Sequence, residues 1–192
     1  MRARENPFAV HRILSVRYRV NGTSWEDLLS RLATRRYRGA IVGPEGSGKT
    51  TLLEDLAPRL ALLGFRVRWA ERGFRRTPLT PQDAVLFDSA DRLSPLGWLR
   101  FRLGVRNAGG LIVTSHRDGL LPTLVRCETS PSLLAGIVRT LAGEEAVAGL
   151  PPAEVLFARH GGNLRTALRE LYDVFSSDSI VSAKTSTSAG IV

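Results

Sequence analysis

The chain has 192 residues, 43% hydrophobic and 23% charged, the size of one ordinary domain or one domain with a small helical appendage, and long enough for a core without disulfides or a structural metal. The single cysteine, Cys127, excludes an intramolecular disulfide, and the scattered His11, His116 and His160 argue against a zinc site. No run approaches the roughly 18 apolar residues of a membrane span, and the start lacks an apolar signal core, so a cytoplasmic setting is the expectation. The net charge of +9 lies in residues 1–80, with 15 Arg and 1 Lys against 7 acids, while 81–192 balance. That excess suits one basic face for nucleic acid, or else a coding bias towards arginine, which supplies 25 of the 27 basic residues.

Residues 1–11 read as an entry segment around Asn6, Pro7 and Phe8, and residues 12–20 alternate apolar and basic as a strand or extended segment would. Asn21-Gly22 signals a turn. Ser24, with Asp27 three residues on, predicts a capped helix over 24–35 that carries Trp25, Leu28, Leu29 and Leu32. The apolar run 39–42 reads as a buried parallel strand, followed by a glycine-rich loop and a helix over 48–63. Leu52, Leu53, Leu56, Leu60 and Leu63 form that helix's apolar face, while Pro58 should kink it or end it early.

Residues 65–70 read as a second strand, with Val67 and Trp69 on one face and Arg66 and Arg68 on the other. A loop over 71–83 leads to a third strand, 84–87, ending at Asp88. Ser94-Pro95 opens a helix to about 106, and strands follow at 111–113 and 124–128. Beyond that the pattern is helical, over 130–141, 152–159 and 162–175, and the Ser/Thr-rich residues 176–192 read as a disordered tail. The expected architecture is therefore α/β, with a five-stranded, mostly parallel sheet flanked by helices in residues 1–129 and a small C-terminal helical lid in 130–175.

The loop carries the chemistry. Gly43, Pro44, Glu45, Gly46, Ser47, Gly48, Lys49 and Thr50 fit G-x-x-x-x-G-K-[ST] in full, and Thr51 adjoins them. Glycines let the backbone turn so that successive N–H groups face phosphate oxygens, and the helix start adds its unpaired amides and positive dipole end. Lys49 would reach the β- and γ-phosphates of a nucleoside triphosphate, and Thr50 would offer a hydroxyl to Mg²⁺. Asp88, after four apolar residues and 39 positions beyond Lys49, is the expected second metal ligand. ATP and Mg²⁺ are the implied ligands.

These two elements on this strand pattern resemble the P-loop NTPases of the additional-strand division, and within them a compact AAA+-type ATPase. The resemblance implies the P-loop NTPase fold and assigns Asp88 as the Walker B acid. It also implies a sensor role for Thr114, at the end of the strand that closes with Thr114 and Ser115, and a second sensor at Arg165 after Gly161-Gly162-Asn163. Asn6, Pro7 and Phe8 are similar to a segment that covers adenine in this family, although Phe8 is better suited to plugging a core. The family's glutamate after the Walker B aspartate is Ser89 here. Asp91 would take over as base for the attacking water if the chain turns sharply after the strand, and otherwise caps the next turn. No arginine finger can be assigned; Arg117 and Arg126 are candidates only by their nearness to the fourth and fifth strands.

Arg66, Arg68, Arg72, Arg75 and Arg76, interleaved with Trp69 and Phe74, suit a nucleic-acid contact through the Arg66–Arg76 segment. Alternatively Trp69 packs in the core, and the arginines are solvated or face another subunit or protein partner. Three functions fit the whole: an ATPase or ATP-dependent switch, a nucleotide-gated binding module with little turnover, and a small-molecule kinase, for which no acceptor site is visible.

Overall fold

The computed structural model describes residues 6–9, 12–13, 24–70, 78–147 and 149–187. Close contacts divide the chain into two units, one of Tyr18–Glu128 and one that joins Met1–Arg17 to Thr129–Val192.

The first unit is an α/β layer structure. In chain order it runs α1 (Trp25–Thr34), β1 (Arg38–Val42), α2 (Lys49–Leu62), β2 (Arg66–Ala70), β3 (Asp83–Phe87), α3 (Pro95–Gly104), β4 (Gly110–Ser115) and β5 (Thr123–Arg126). All five strands are parallel, in the order β2-β3-β4-β1-β5. Parallel neighbours need crossovers, and helices covering both faces account for the nearly uniform burial of β1, β3 and β4. One face packs Ile41, Leu86 and Ile112 against Leu28 and Leu32 of α1 and Leu52, Leu53, Leu56 and Leu60 of α2. The other packs Ala40, Val85, Leu111 and Val113 against Val105 and the partly buried Trp98 and Phe101. Ser24 caps α1 through a reciprocal capping box with Asp27.

Pro58 does not end α2, which continues to Leu62. The carbonyl that loses its amide partner is that of Glu54, and both residues lie on the exposed side of the helix, where water can serve instead. Trp69 does not enter the core: it is 47% exposed because β2 is an edge strand with little covering it.

The second unit is helical: α4 (Pro131–Ala142), α5 (Glu144–Val147), α6 (Ala153–Arg159) and α7 (Leu164–Thr187). Its core gathers Leu134, Val138, Leu156, Leu164, Ala167, Leu168 and Leu171. The entry segment, which the sequence boundaries placed with residues 1–129, belongs with these helices. Phe8 is buried among them and meets Phe175 edge-on at 5.3 Å, and the Asn6 side chain donates to Tyr172 O (2.9 Å) and Ser176 Oγ (3.0 Å). Phe8 therefore takes the core role of its two alternatives. The last helix was expected to end near 175, with a disordered tail from 176. It runs to Thr187 instead, because adding residues to a formed helix costs little and no Gly or Pro occurs before Gly190.

Most of the extended segment expected over 12–20 lies outside the described residues, and Arg12 and Ile13 within it are helical. The turn at Asn21-Gly22, the loop residues 71–77 and the last residues, 188–192, also lie outside them. No helix among the described residues is long and apolar enough to cross a membrane.

Candidate functional site

The loop between β1 and α2 is closed by its own backbone. Gly46 (φ 73°) and Gly48 (φ 83°) take left-handed conformations that a Cβ would disfavour. The Pro44 carbonyl accepts from Ser47 Oγ (2.8 Å) and from Lys49 Nζ (2.7 Å), and Lys49 also donates to Gly43 O (2.9 Å). At Gly43 the chain passes so close to β5 that an added Cβ would lie 2.3 Å from Cys127 O. The N-cap of α2, Gly48, offers no side-chain acceptor, and the first turn holds no acid. The amides that open α2 thus receive no side-chain cap, at the positive end of the helix. Pro44 and Glu45 are exposed on the outer lip.

Lys49 is 7% exposed, and burial pulls its pKa below the usual lysine value, against the raising influence of Cys127, Asp91, Asp88 and Glu45. The ammonium uses two of its three donors on the loop carbonyls, which leaves one for an anion.

The strand order sets the acid beside this loop, with β4 between β1 and β3. Thr50 Oγ1 lies 3.2 and 3.3 Å from the two carboxylate oxygens of Asp88. From the intervening strand, Thr114 Oγ1 donates to Asp88 Oδ1 (2.5 Å) and accepts from Ser89 N (2.6 Å). One buried hydroxyl therefore fixes both the carboxylate and the turn that follows it. The neighbouring hydroxyl works locally. Ser115 Oγ donates to Arg117 O (2.5 Å) and accepts from Arg117 N (3.0 Å), closing the end of β4.

After Asp88 the chain does turn sharply. Ser89 adopts a left-handed conformation (φ 57°, ψ 48°), which costs a non-glycine residue about 1 kcal/mol, and its bonded amide helps hold it there. A short 3₁₀ turn, Ala90–Arg92, follows. Asp91 Oδ2 accepts from the backbone N–H of His116 (3.1 Å) and lies 2.8 Å from His116 Nδ1. Asp91 Oδ1 is buried with no hydrogen-bond partner among the described residues. Burial works to raise the pKa of Asp91, but the bonds from His116 outweigh it and hold the carboxyl below the usual aspartate value.

The structure thus gathers Gly43–Thr51, Asp88, Asp91 and Thr114 in the α/β unit, and adds His116, which the sequence pattern did not single out. Its one signal was its place directly after a strand ending in hydroxyls. Arg165 belongs to the helical unit, exposed in the first turn of α7, where its backbone N–H donates to Asn163 Oδ1 (3.1 Å). Of the finger candidates, Arg126 is paired with Asp118 (2.8 Å), and Arg117 is exposed. Arg66 and Arg68 both grip the buried Asp83, at 3.2 and 3.1 Å. Arg72, Phe74, Arg75 and Arg76 lie outside the described residues.

Chemically, the loop sets the start of α2 beside the Lys49 ammonium, and the Thr50–Asp88 pair is a set of hard oxygen donors. Among the described residues no group of three or more His, Cys, Asp or Glu side chains could hold a metal alone. A small divalent cation at Thr50 and Asp88 would need ligand oxygens to complete its shell, as Mg²⁺ commonly does with phosphates. Set against known proteins, the chain matches no family model and no curated protein.

Proposed function

We propose that this chain binds Mg·ATP through the P-loop Gly43–Thr50 and works as an ATPase or ATP-dependent switch of the additional-strand division, AAA+-like in organisation. One observation carries the reading: Lys49 and Thr50 open a helix at a left-handed glycine turn, and Thr50 meets the carboxylate of Asp88 from two strands away. The separation of β1 and β3 by β4, with Thr114 on Asp88, supports the same reading.

In this proposal the loop amides and Lys49 bind the phosphates, and Thr50 and Asp88 hold Mg²⁺. The cation would neutralise charge on the transferring phosphoryl group. Thr114 keeps Asp88 oriented, and Asp91 would accept a proton from water, since Ser89 stands where a glutamate would serve. The resemblance assigns Arg165 to transition-state charge.

A second reading, a nucleotide-gated binding module with little turnover, draws on that same Ser89. The exposed Trp69 on edge strand β2 is the feature that would serve a nucleic-acid partner, though Arg66 and Arg68 beside it are engaged by Asp83. Titration of the purified chain with fluorescent ATP and GTP analogues, with and without Mg²⁺, tests the first claim. Phosphate release with and without DNA separates the two readings. Absence of saturable, Mg²⁺-dependent nucleotide binding would sink both.

A further inference from the structure

The Asp91–His116 pair stands apart from what the loop needs for binding. Both bonds that His116 makes go to one carboxylate oxygen, Oδ2, through two different atoms, a backbone amide and a ring nitrogen. Two donors on one oxygen fix the rotation of the carboxylate. The other oxygen, Oδ1, is buried and receives nothing from the described residues. A buried carboxylate oxygen without a donor is costly, and such exceptions call for a functional account or a solvent partner. The pair is also close enough to the loop for Asp91 to act on Lys49 electrostatically, together with Asp88.

The turn that creates the pair is built for it. Ser89 occupies a left-handed conformation, so the chain doubles back from β3 and carries Asp91 towards the end of β4. There Ser115 closes its own turn on Arg117, which holds His116 at the tip. Asp91 and His116 are 20% and 33% exposed at their side chains, although Oδ1 itself is covered.

We infer that His116 is a positioning residue, fixing the Asp91 carboxylate through Oδ2 so that Oδ1 takes the hydrogen bond of the attacking water. The inference rests on the ATPase reading above. In the step it serves, the water oxygen bonds to the γ-phosphorus as the bond from that phosphorus to the β–γ bridging oxygen breaks. The electron pair leaves with ADP, and the water proton passes to Asp91 Oδ1 and then to the departing phosphate. His116 contributes orientation and takes no proton from the water.

The test compares wild type, His116→Ala, His116→Asn and Asp91→Asn in the full chain. Mg²⁺-dependent binding of a fluorescent ATP analogue, single-turnover ATP hydrolysis, and the ¹⁵N imidazole spectrum without nucleotide are read for each. His116→Ala should slow single-turnover hydrolysis about 10- to 100-fold and change nucleotide affinity by no more than about twofold, a loss confined to the chemical step. His116→Asn, whose amide offers a donor near the position of Nδ1, should recover most of that rate. Asp91→Asn should cost more, and adding His116→Ala to it should cost nothing further. In the nucleotide-free wild type the neutral ring should carry its proton on Nδ1, and Asp91→Asn should shift that tautomer. Unchanged hydrolysis in His116→Ala, or a neutral ring with its proton on Nε2, overturns the inference. Wild-type protein that binds Mg·ATP without turning it over overturns it too, while the nucleotide-binding reading stands. No binding in the wild type would remove that reading, and the inference with it.

Discussion

The loop after β1 and the turn after β3 meet at one pair of groups, the Thr50 hydroxyl and the Asp88 carboxylate, yet they hold their shapes by different means. The loop is made of backbone: two left-handed glycines, a carbonyl at Pro44 that gathers Ser47 and Lys49, and the open end of a helix. The turn is made of side chains from separate segments, with Thr114 clasping Asp88 and Ser89, and His116 clasping Asp91. A backbone surface survives most side-chain changes, because the groups that would face a ligand are amides. A side-chain clasp fails when one atom is removed. Binding and reactivity should therefore respond separately to mutation.

Lys49→Ala tests the loop at its buried charged side chain. It removes the charge-assisted bonds of the buried ammonium and should weaken Mg·ATP binding about a hundredfold, roughly 3 kcal/mol. A fluorescent-nucleotide titration measures this, and a loss of less than about threefold would mean that the amides alone carry the affinity. Thr114→Val tests the turn. The shape is kept, but Asp88 Oδ1 loses a donor and the amide of Ser89 loses its acceptor, next to a Thr114 that is itself buried. Unfolding stability should fall by about 1–3 kcal/mol in urea titration, with hydrolysis lost and nucleotide binding largely retained. Equal losses of binding and hydrolysis would erase the distinction between the two regions.

The two regions also differed in how far the residues announced them. Gly43 to Thr50 are consecutive, and the roles proposed for them follow from spacing, so the strand–loop–helix around them could be read directly. Asp88 was legible through its apolar run. The resemblance gave Thr114 a sensor role, but its bond to Asp88 was not expected, because that reach depends on β4 lying between β1 and β3, and strand order is a property of tertiary packing. His116 was missed for the same reason: nothing local records that Asp91, 25 residues earlier, returns to meet it. The exposure of Trp69 and the survival of α2 past Pro58 likewise turn on which face the sheet and solvent leave uncovered.

Acid should loosen the turn before it touches the loop. The Asp91 carboxyl is held below its ordinary pKa by His116, so the pair contributes stability that is fully present above the ordinary aspartate range, about pH 4. That contribution is lost as pH falls through the lowered value and the carboxylate takes a proton. Asp83, Asp118 and Glu170 are held low as well, so the comparison with Asp91→Asn isolates the part that belongs to this turn. Amide exchange at His116, whose N–H is bonded to Asp91, should accelerate there in wild type, and the acceleration should be absent in Asp91→Asn. If exchange at Gly43 and Ser47 quickened in parallel, the turn and the loop would be one cooperative piece.

The smallest effect should come from Ser115→Ala, and it is the cleanest control on the comparison. Ser115 and Thr114 are adjacent on β4, both wholly buried and both hydroxylated, so burial and chemical type are matched. Only their partners differ: Thr114 reaches the carboxylate that follows β3, whereas Ser115 bonds back to the chain two residues on. Removing the Ser115 hydroxyl therefore breaks a local closure that backbone and water can partly replace. Stability should fall by about 0.5–1 kcal/mol. Nucleotide affinity should not move, and hydrolysis should fall only as far as His116 loses its place at the turn. A larger fall in hydrolysis from Ser115→Ala than from Thr114→Val would mean that reactivity depends on the end of β4 and not on the clasp around Asp88.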